Sequence, residues 1–140
     1  MPVLHPVDWS ALPAPLLDFW TEYHLCTLST LDRTGAPHAV PVGTTLDLEN
    51  QCAWVITRRG SQKVANIRRD PRLSITQVDR GRWSSIVGTG EVLEDEASIA
   101  RACERYAARY RPPSPSAERV AVRITVERFL GSAQVLSPIS

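Results

Sequence analysis

Lysine is almost missing from this chain: fifteen of its sixteen basic residues are arginine, and Lys63 in "TRRGSQK" (57–63) stands alone. Cysteine is scarce as well. Cys26, Cys52 and Cys103 are odd in number, far apart, and free of CxxC or paired-histidine spacing. That argues against a disulfide frame or a metal site and predicts reduced packing residues in a cytoplasmic chain. No apolar run is long enough to cross a bilayer, so no membrane partner is expected. The opening stretch, "MPVLHPVDWSALPAPLLDFW", lacks the positive leading region and unbroken apolar core of a secretory signal. A net charge of +1 gives no general attraction to nucleic acid. Two phenylalanines and three tyrosines are too few for a base-stacking platform, although Trp83 lies among arginines.

Familiar catalytic signatures are missing too. There is no GxxxxGK[ST], and "GTGEVL" (88–93) holds only two glycines of a GxGxxG inside a β-rich stretch. No GxSxG occurs, and His5, His24 and His38 have no acid and nucleophile beside them. His38, following Pro37 at a strand start, reads as a structural or pocket-lining residue. Glu94, Asp95 and Glu96 fall at a helix start, where the helix dipole accounts for them. Acyl transfer and carboxylate-pair hydrolysis are therefore unsupported.

What is present is an ordinary globular composition, 43% hydrophobic and 22% charged over 140 residues, suited to one domain with residues 1–12 as a loosely docked arm. "PAPLLDFWTEY" (13–23) spaces Leu16, Leu17, Trp20 and Tyr23 as an amphipathic helix with proline in its first turn. Strands are expected over 24–31, 38–48 and 52–57, with Pro41 marking an edge or bulge. Ser61 can cap a helix from Gln62 to Arg69, which Pro71 ends. Strands over 72–78 and 83–92 follow, Gly88 and Gly90 marking a bend or close backbone approach. A helix over 95–111 carries Ile99, Cys103, Tyr106 and Tyr110 on one side and Arg101, Arg105 and Arg109 on the other. The last strand alternates Val120, Val122, Ile124 and Val126 against Arg123, Thr125 and Glu127, and is drawn through to Leu136. Six short antiparallel strands favour a closed or half-closed barrel, because closure removes edges.

Charge is uneven. Residues 57–82 carry eight basic and two acidic side chains, a balance of +6, whereas residues 1–56 set Arg33 against six acidic residues. A basic block at a helix start is a ready anion site, with backbone N–H groups and the helix dipole joined by Arg58, Ser61 and Lys63. Gly60 permits close approach.

In order, "GAPHAVPVG", "WVIT", "SQKVANIRRDPRLS" and a tryptophan followed by GxG resemble the pyridoxamine phosphate oxidase-like split β-barrel family, from about Leu16 to Leu136. The resemblance implies a mainly β, six-stranded antiparallel split barrel with a few short helices, forming a homodimer with its cofactor between subunits. It implies that Thr57, Ser61 and Lys63 hold a phosphate, with Ile56, Arg58, Arg59, Gly60 and Gln62 around them. Pro41, Val42 and Gly43 would run under the ring system, and Gln77 and Trp83 would also contact the cofactor. "GSQK", "QVDRGRW" and "RYAARYRPP" are similar to the actinobacterial branch that uses coenzyme F420, a deazaflavin with an oligoglutamate tail, biliverdin reductases included. Trp83 stands where flavin-dependent members often carry a ring-contacting glutamine. The expectation is an F420-dependent reductase passing a hydride to a small organic acceptor, a biliverdin-like tetrapyrrole among the candidates. Arg80 and Arg82 would stabilise charge on that acceptor, with no general acid from the chain. Two alternatives stand beside it: an FMN oxidase or reductase of the same fold, and a non-catalytic carrier of a flavin, deazaflavin or haem, the last through His24 or His38.

Overall fold

The structure is a computed structural model that describes residues 2–137. Its elements in chain order are β1 (Val3–Leu4), α1 (Ala14–Thr21), β2 (Cys26–Leu31), β3 (Pro37–Val42), β4 (Thr44–Asp47), β5 (Cys52–Arg58), α2 (Gln62–Arg69), β6 (Arg72–Asp79), β7 (Arg82–Leu93), α3 (Glu96–Arg109), β8 (Arg119–Gly131) and α4 (Ala133–Leu136). Among the described residues the sheet has eight strands, in the order β3-β2-β6-β7-β8-β5-β4 with β1 added on β8, and every pairing is antiparallel. The count exceeds the expected six for two reasons: β1 is additional, and the expected 38–48 strand is divided at Gly43. Its first half pairs with β2 and its second with β5, so one bent segment supplies both edges of the half-barrel. Pro41 sits on β3 at the edge, where its missing N–H costs no ladder bond.

The strands alternate as a one-sided sheet demands. Leu28, Ile75, Ile86 and Ile124 point inward and are fully buried with Phe19 and Trp20 of α1 and Phe129. Val120, Val122, Ile124 and Val126 all face in as expected, but the strand ends at Gly131 and a short helix replaces its predicted tail. α1 also ends early. Glu22 turns extended after Thr21, so Phe19 takes the core position and Tyr23 is 65% exposed against the edge of the Tyr110 ring. The N-terminal arm is tied down, not loose: Val3 and Leu4 pair with Leu130 and Phe129, Leu12 enters the core, and Trp9 packs edge-on to Phe129. Met1 of that arm lies outside the described residues. No helix among them is long and apolar enough to cross a membrane.

A second layer forms where α3 covers the outer side of β5 and β8, burying Trp54, Ala102 and Ala121. The arginine side of α3 faces the protein. Arg101 donates twice to the Asp47 carboxylate, at 2.9 and 2.8 Å, and Arg105 donates to the Leu46 carbonyl. Arg109 is buried and donates to the carbonyls of Glu22 (2.8 Å) and Thr44 and to Gln77 Oε1 (2.7 Å). A buried guanidinium satisfied by fixed acceptors locks the end of α3 against α1 and β4.

Asp47 is the other fixed point. Burial raises its carboxyl pKa, but bonds from Arg101, Asn50 and Trp54 outweigh that and hold it well below the ordinary 3.8. A lowered pKa stabilises the fold fully above the unfolded value and loses that contribution as pH falls through the folded one. Asp47→Asn should therefore cost about 3 kcal/mol at pH 7. Urea midpoints measured downward from pH 4 should show the gap to wild type narrowing; a gap constant with pH would contradict the assignment.

Candidate cofactor site

The end of β5 runs directly into α2, and this junction carries the chain's distinctive cations. α2 spans Gln62–Arg69 as expected, Ser61 occupies the N-cap position, and the helix stops before Pro71. The Ser61 hydroxyl does not cap, however; it lies 3.4 Å from the Thr57 hydroxyl, leaving the first turn of α2 without a side-chain cap. Uncapped N–H groups and the positive end of the dipole form an anion-binding end. Lys63 is half-buried in that first turn and has no ion-pair partner among the described residues. Burial, then the like charge of Arg58, pushes its pKa below the ordinary 10.5. A neighbouring anion would relieve both the desolvation and the repulsion. Gly60 has nothing within 4 Å of where a Cβ would stand, so no protein contact demands glycine there.

Beside this turn opens a cleft of about 310 Å³. Gly43, Ile56, Thr57 and Arg58 line one part of it. Tyr106 of α3 and the loop from Arg111 to Arg119 line the rest. Gly43 is required by packing: a Cβ would meet the Tyr106 ring at 2.8 Å and the Tyr110 ring at 2.9 Å. The Tyr110 hydroxyl accepts the Thr44 N–H and donates to the His24 carbonyl, holding the bend in place.

The structure thus gathers Gly43, Ile56, Thr57, Arg58, Ser61 and Lys63 into one neighbourhood, while the other expected contacts sit elsewhere. Pro41 is exposed and Val42 is in the core. Arg59 turns away to Glu94 (2.7 Å) and Glu118 (3.7 Å), and Gln62 bonds to Asn66 within the helix. Gln77 requires correction: Leu73, Ile75 and Gln77 share the inward face of β6, and its amide donates to the Phe19 carbonyl and accepts from Arg109. It is a core residue. Trp83 adjoins Ser84, which pairs with Gly131, so it lies at the opposite end of the 13-residue β8 from the cleft. Arg80 occupies the hairpin turn with φ 58, and Arg82 is held by Glu22, Asp79 and the face of Phe19. Neither arginine lines the cleft. His24 contacts Glu22 at 3.0 Å and packs on Phe19.

Tyr106, Arg111 and Arg119 are cleft residues that the sequence reading did not single out. "RYAARYRPP" (105–113) carries part of the resemblance without a site assigned to it; the tertiary fold brings Arg111, Pro113 and Ser114 beside β5.

Residues 12–132 match the sequence family described as pyridoxamine 5'-phosphate oxidase. The chain belongs to that family. Within it, the chain is 43% identical over 120 residues to the F420H(2)-dependent biliverdin reductase of Mycobacterium tuberculosis, covering 86% of this chain and 88% of that protein. Among solved structures it resembles the conserved hypothetical protein Rv2991 of Mycobacterium tuberculosis (25% identity, TM-score 0.76, 97% and 93% of the two chains). It also shares the fold of a protein described as F420 reductase (19% identity, TM-score 0.70, 85% and 98%).

Proposed function

We propose that this member of the pyridoxamine 5'-phosphate oxidase family binds coenzyme F420 and uses its reduced form to reduce a small organic acceptor, with a biliverdin-like tetrapyrrole as the leading candidate. The observation that carries the reading is the uncapped first turn of α2 beside unpaired Lys63 and Arg58, a donor set fitted to a phosphate. The 43% identity to a biliverdin reductase of known cofactor directs that phosphate to a deazaflavin. When bound, the reduced coenzyme supplies the hydride. The chain's own work is to anchor the anionic end through Thr57, Arg58, Ser61 and Lys63, and to wall the cleft with Ile56, Gly43 and Tyr106. Arg82, committed to Glu22 and Asp79, is not available to an acceptor in the same protomer.

We infer a homodimer from the outer face of the sheet. Leu25 (62% exposed), Val78 (66%) and Val3 (50%) are exposed at or beside β2, β6 and β1, outside the patch on β5 and β8 that α3 covers, and Trp83 is the cross-strand neighbour of Val78. A second copy seated there would bury these groups. Trp83, remote from its own cleft, would then act only at a partner's site.

Titration of the cofactor-free protein with F420 and with FMN, alongside its mass by sedimentation, tests the reading. Micromolar or tighter F420 binding that weakens with salt is expected, in a dimer that oxidises reduced F420 when biliverdin is added. Preference for FMN would overturn the cofactor, and binding without turnover of biliverdin, quinone or nitro acceptors would leave a carrier.

A further inference from the structure

The antiparallel register sets Arg58 of β5 directly opposite Arg119 of β8, and both side chains line the cleft. Like charges facing each other across a strand pair repel unless an anion lies between them. The nearby carboxylates are committed elsewhere: Glu94 takes Arg59 and Arg68, and Glu118 reaches toward Arg59. Among the described residues no carboxylate comes within 4.0 Å of Arg58, Arg111 or Arg119, whereas Arg59, Arg68, Arg72, Arg82 and Arg101 are all ion-paired. Arg111 and Ser114 are carried on a loop with prolines at 112, 113 and 115, whose fixed φ angles reduce the entropy lost in holding a ligand.

The charge count then constrains the ligand. Arg58, Arg111 and Arg119 line the cleft, and Lys63, in the first turn of the adjoining α2, lies close enough to feel the charge of Arg58. A phosphate monoester brings about −1.5 to −2 and a diester less, so one phosphate leaves cations over. Arginine's planar fork matches a carboxylate through two parallel bonds.

We propose that Arg111 and Arg119, with the Ser114 hydroxyl, form a second anion subsite that takes a carboxylate of the ligand whose phosphate sits at the start of α2. This rests on the F420 reading, in which that carboxylate belongs to the glutamate tail. It divides the cleft into a phosphate end at α2 and a carboxylate end at the α3–β8 loop.

The test is titration of wild type, Arg111→Ala and Arg119→Ala with F420 bearing its glutamates and with the same coenzyme after its tail carboxylates are converted to neutral amides. Each variant should bind the unmodified coenzyme about tenfold more weakly and the amidated one less than threefold more weakly. Equal losses for both forms, or none for either, would overturn the subsite while the F420 reading stood. Wild type that binds neither form would overturn both. Folding is read separately: removing one of two facing arginines should leave the urea midpoint of ligand-free Arg119→Ala at or above that of wild type. A lower midpoint would mean that Arg119 serves the fold instead.

Discussion

Lys63→Ala is expected to weaken F420 binding about ten- to hundredfold, or about 1.5–3 kcal/mol, while leaving the urea midpoint of the free protein unchanged. The size follows from a charge-assisted bond made at a partly buried position, where burial and Arg58 already disfavour the lysine's charge. Among the described residues the side chain makes no ion pair, so its loss removes no salt bridge from the fold. Titration supplies a second readout. A cation whose pKa is lowered in the free protein gains protonation when an anion binds, so affinity should hold at neutral pH and fall as pH rises toward a value below 10.5. That alkaline fall should be absent from Lys63→Ala. An unchanged dissociation constant in the variant would remove Lys63 from the site.

Gly88→Ala should be the most damaging small substitution in the chain, at about 4 kcal/mol, on the scale reserved for changes that force the backbone to move. At the register shift between Val87 and Gly88, β7 lies so close to β8 that a Cβ would stand 1.9 Å from the Thr125 carbonyl oxygen and 3.3 Å from the Glu127 nitrogen. Both obstacles are backbone, so no rotamer change relieves them, and the strain falls on the central β7–β8 pairing. Gly60→Ala is the matched control. With open space around the new methyl group, it should move stability by no more than about 0.5 kcal/mol. Urea midpoints for the two variants decide it, and equal midpoints would refute the close-approach explanation.

Local chemistry made part of this molecule legible. The helix over Gln62–Arg69 was readable because a serine at the N-cap position and a proline just past its end mark it locally, even though the serine hydroxyl makes no cap bond, and Pro41 identified an edge strand because proline cannot donate to a ladder. The site was half legible for the same reason: Thr57, Arg58, Ser61 and Lys63 are neighbours in sequence. Arg119 was not, because only the β5–β8 register puts it opposite Arg58, and Arg111 was not, because only the path of the loop after α3 brings it to the cleft. The arginine stripe on α3 was legible as a polar side, but periodicity does not report what such a side faces. Here it faces Asp47, a ring of carbonyls and Gln77. Gln77 itself was recoverable, since its spacing from Leu73 and Ile75 places it inward whatever its polarity.

The bend at Gly43 couples two things that could have been separate. Val42 is paired with Cys26 on one edge and Thr44 with Val55 on the other, so a slip of β3 along β2 would drag β4 along β5. The two registers are fastened by a single buckle, and the same glycine is a wall of the cleft. A chain whose barrel has not yet fastened therefore has no complete binding site. Any ligand of the cleft must favour the fastened form over every partly assembled one, and so acts on the barrel as a late-acting clasp.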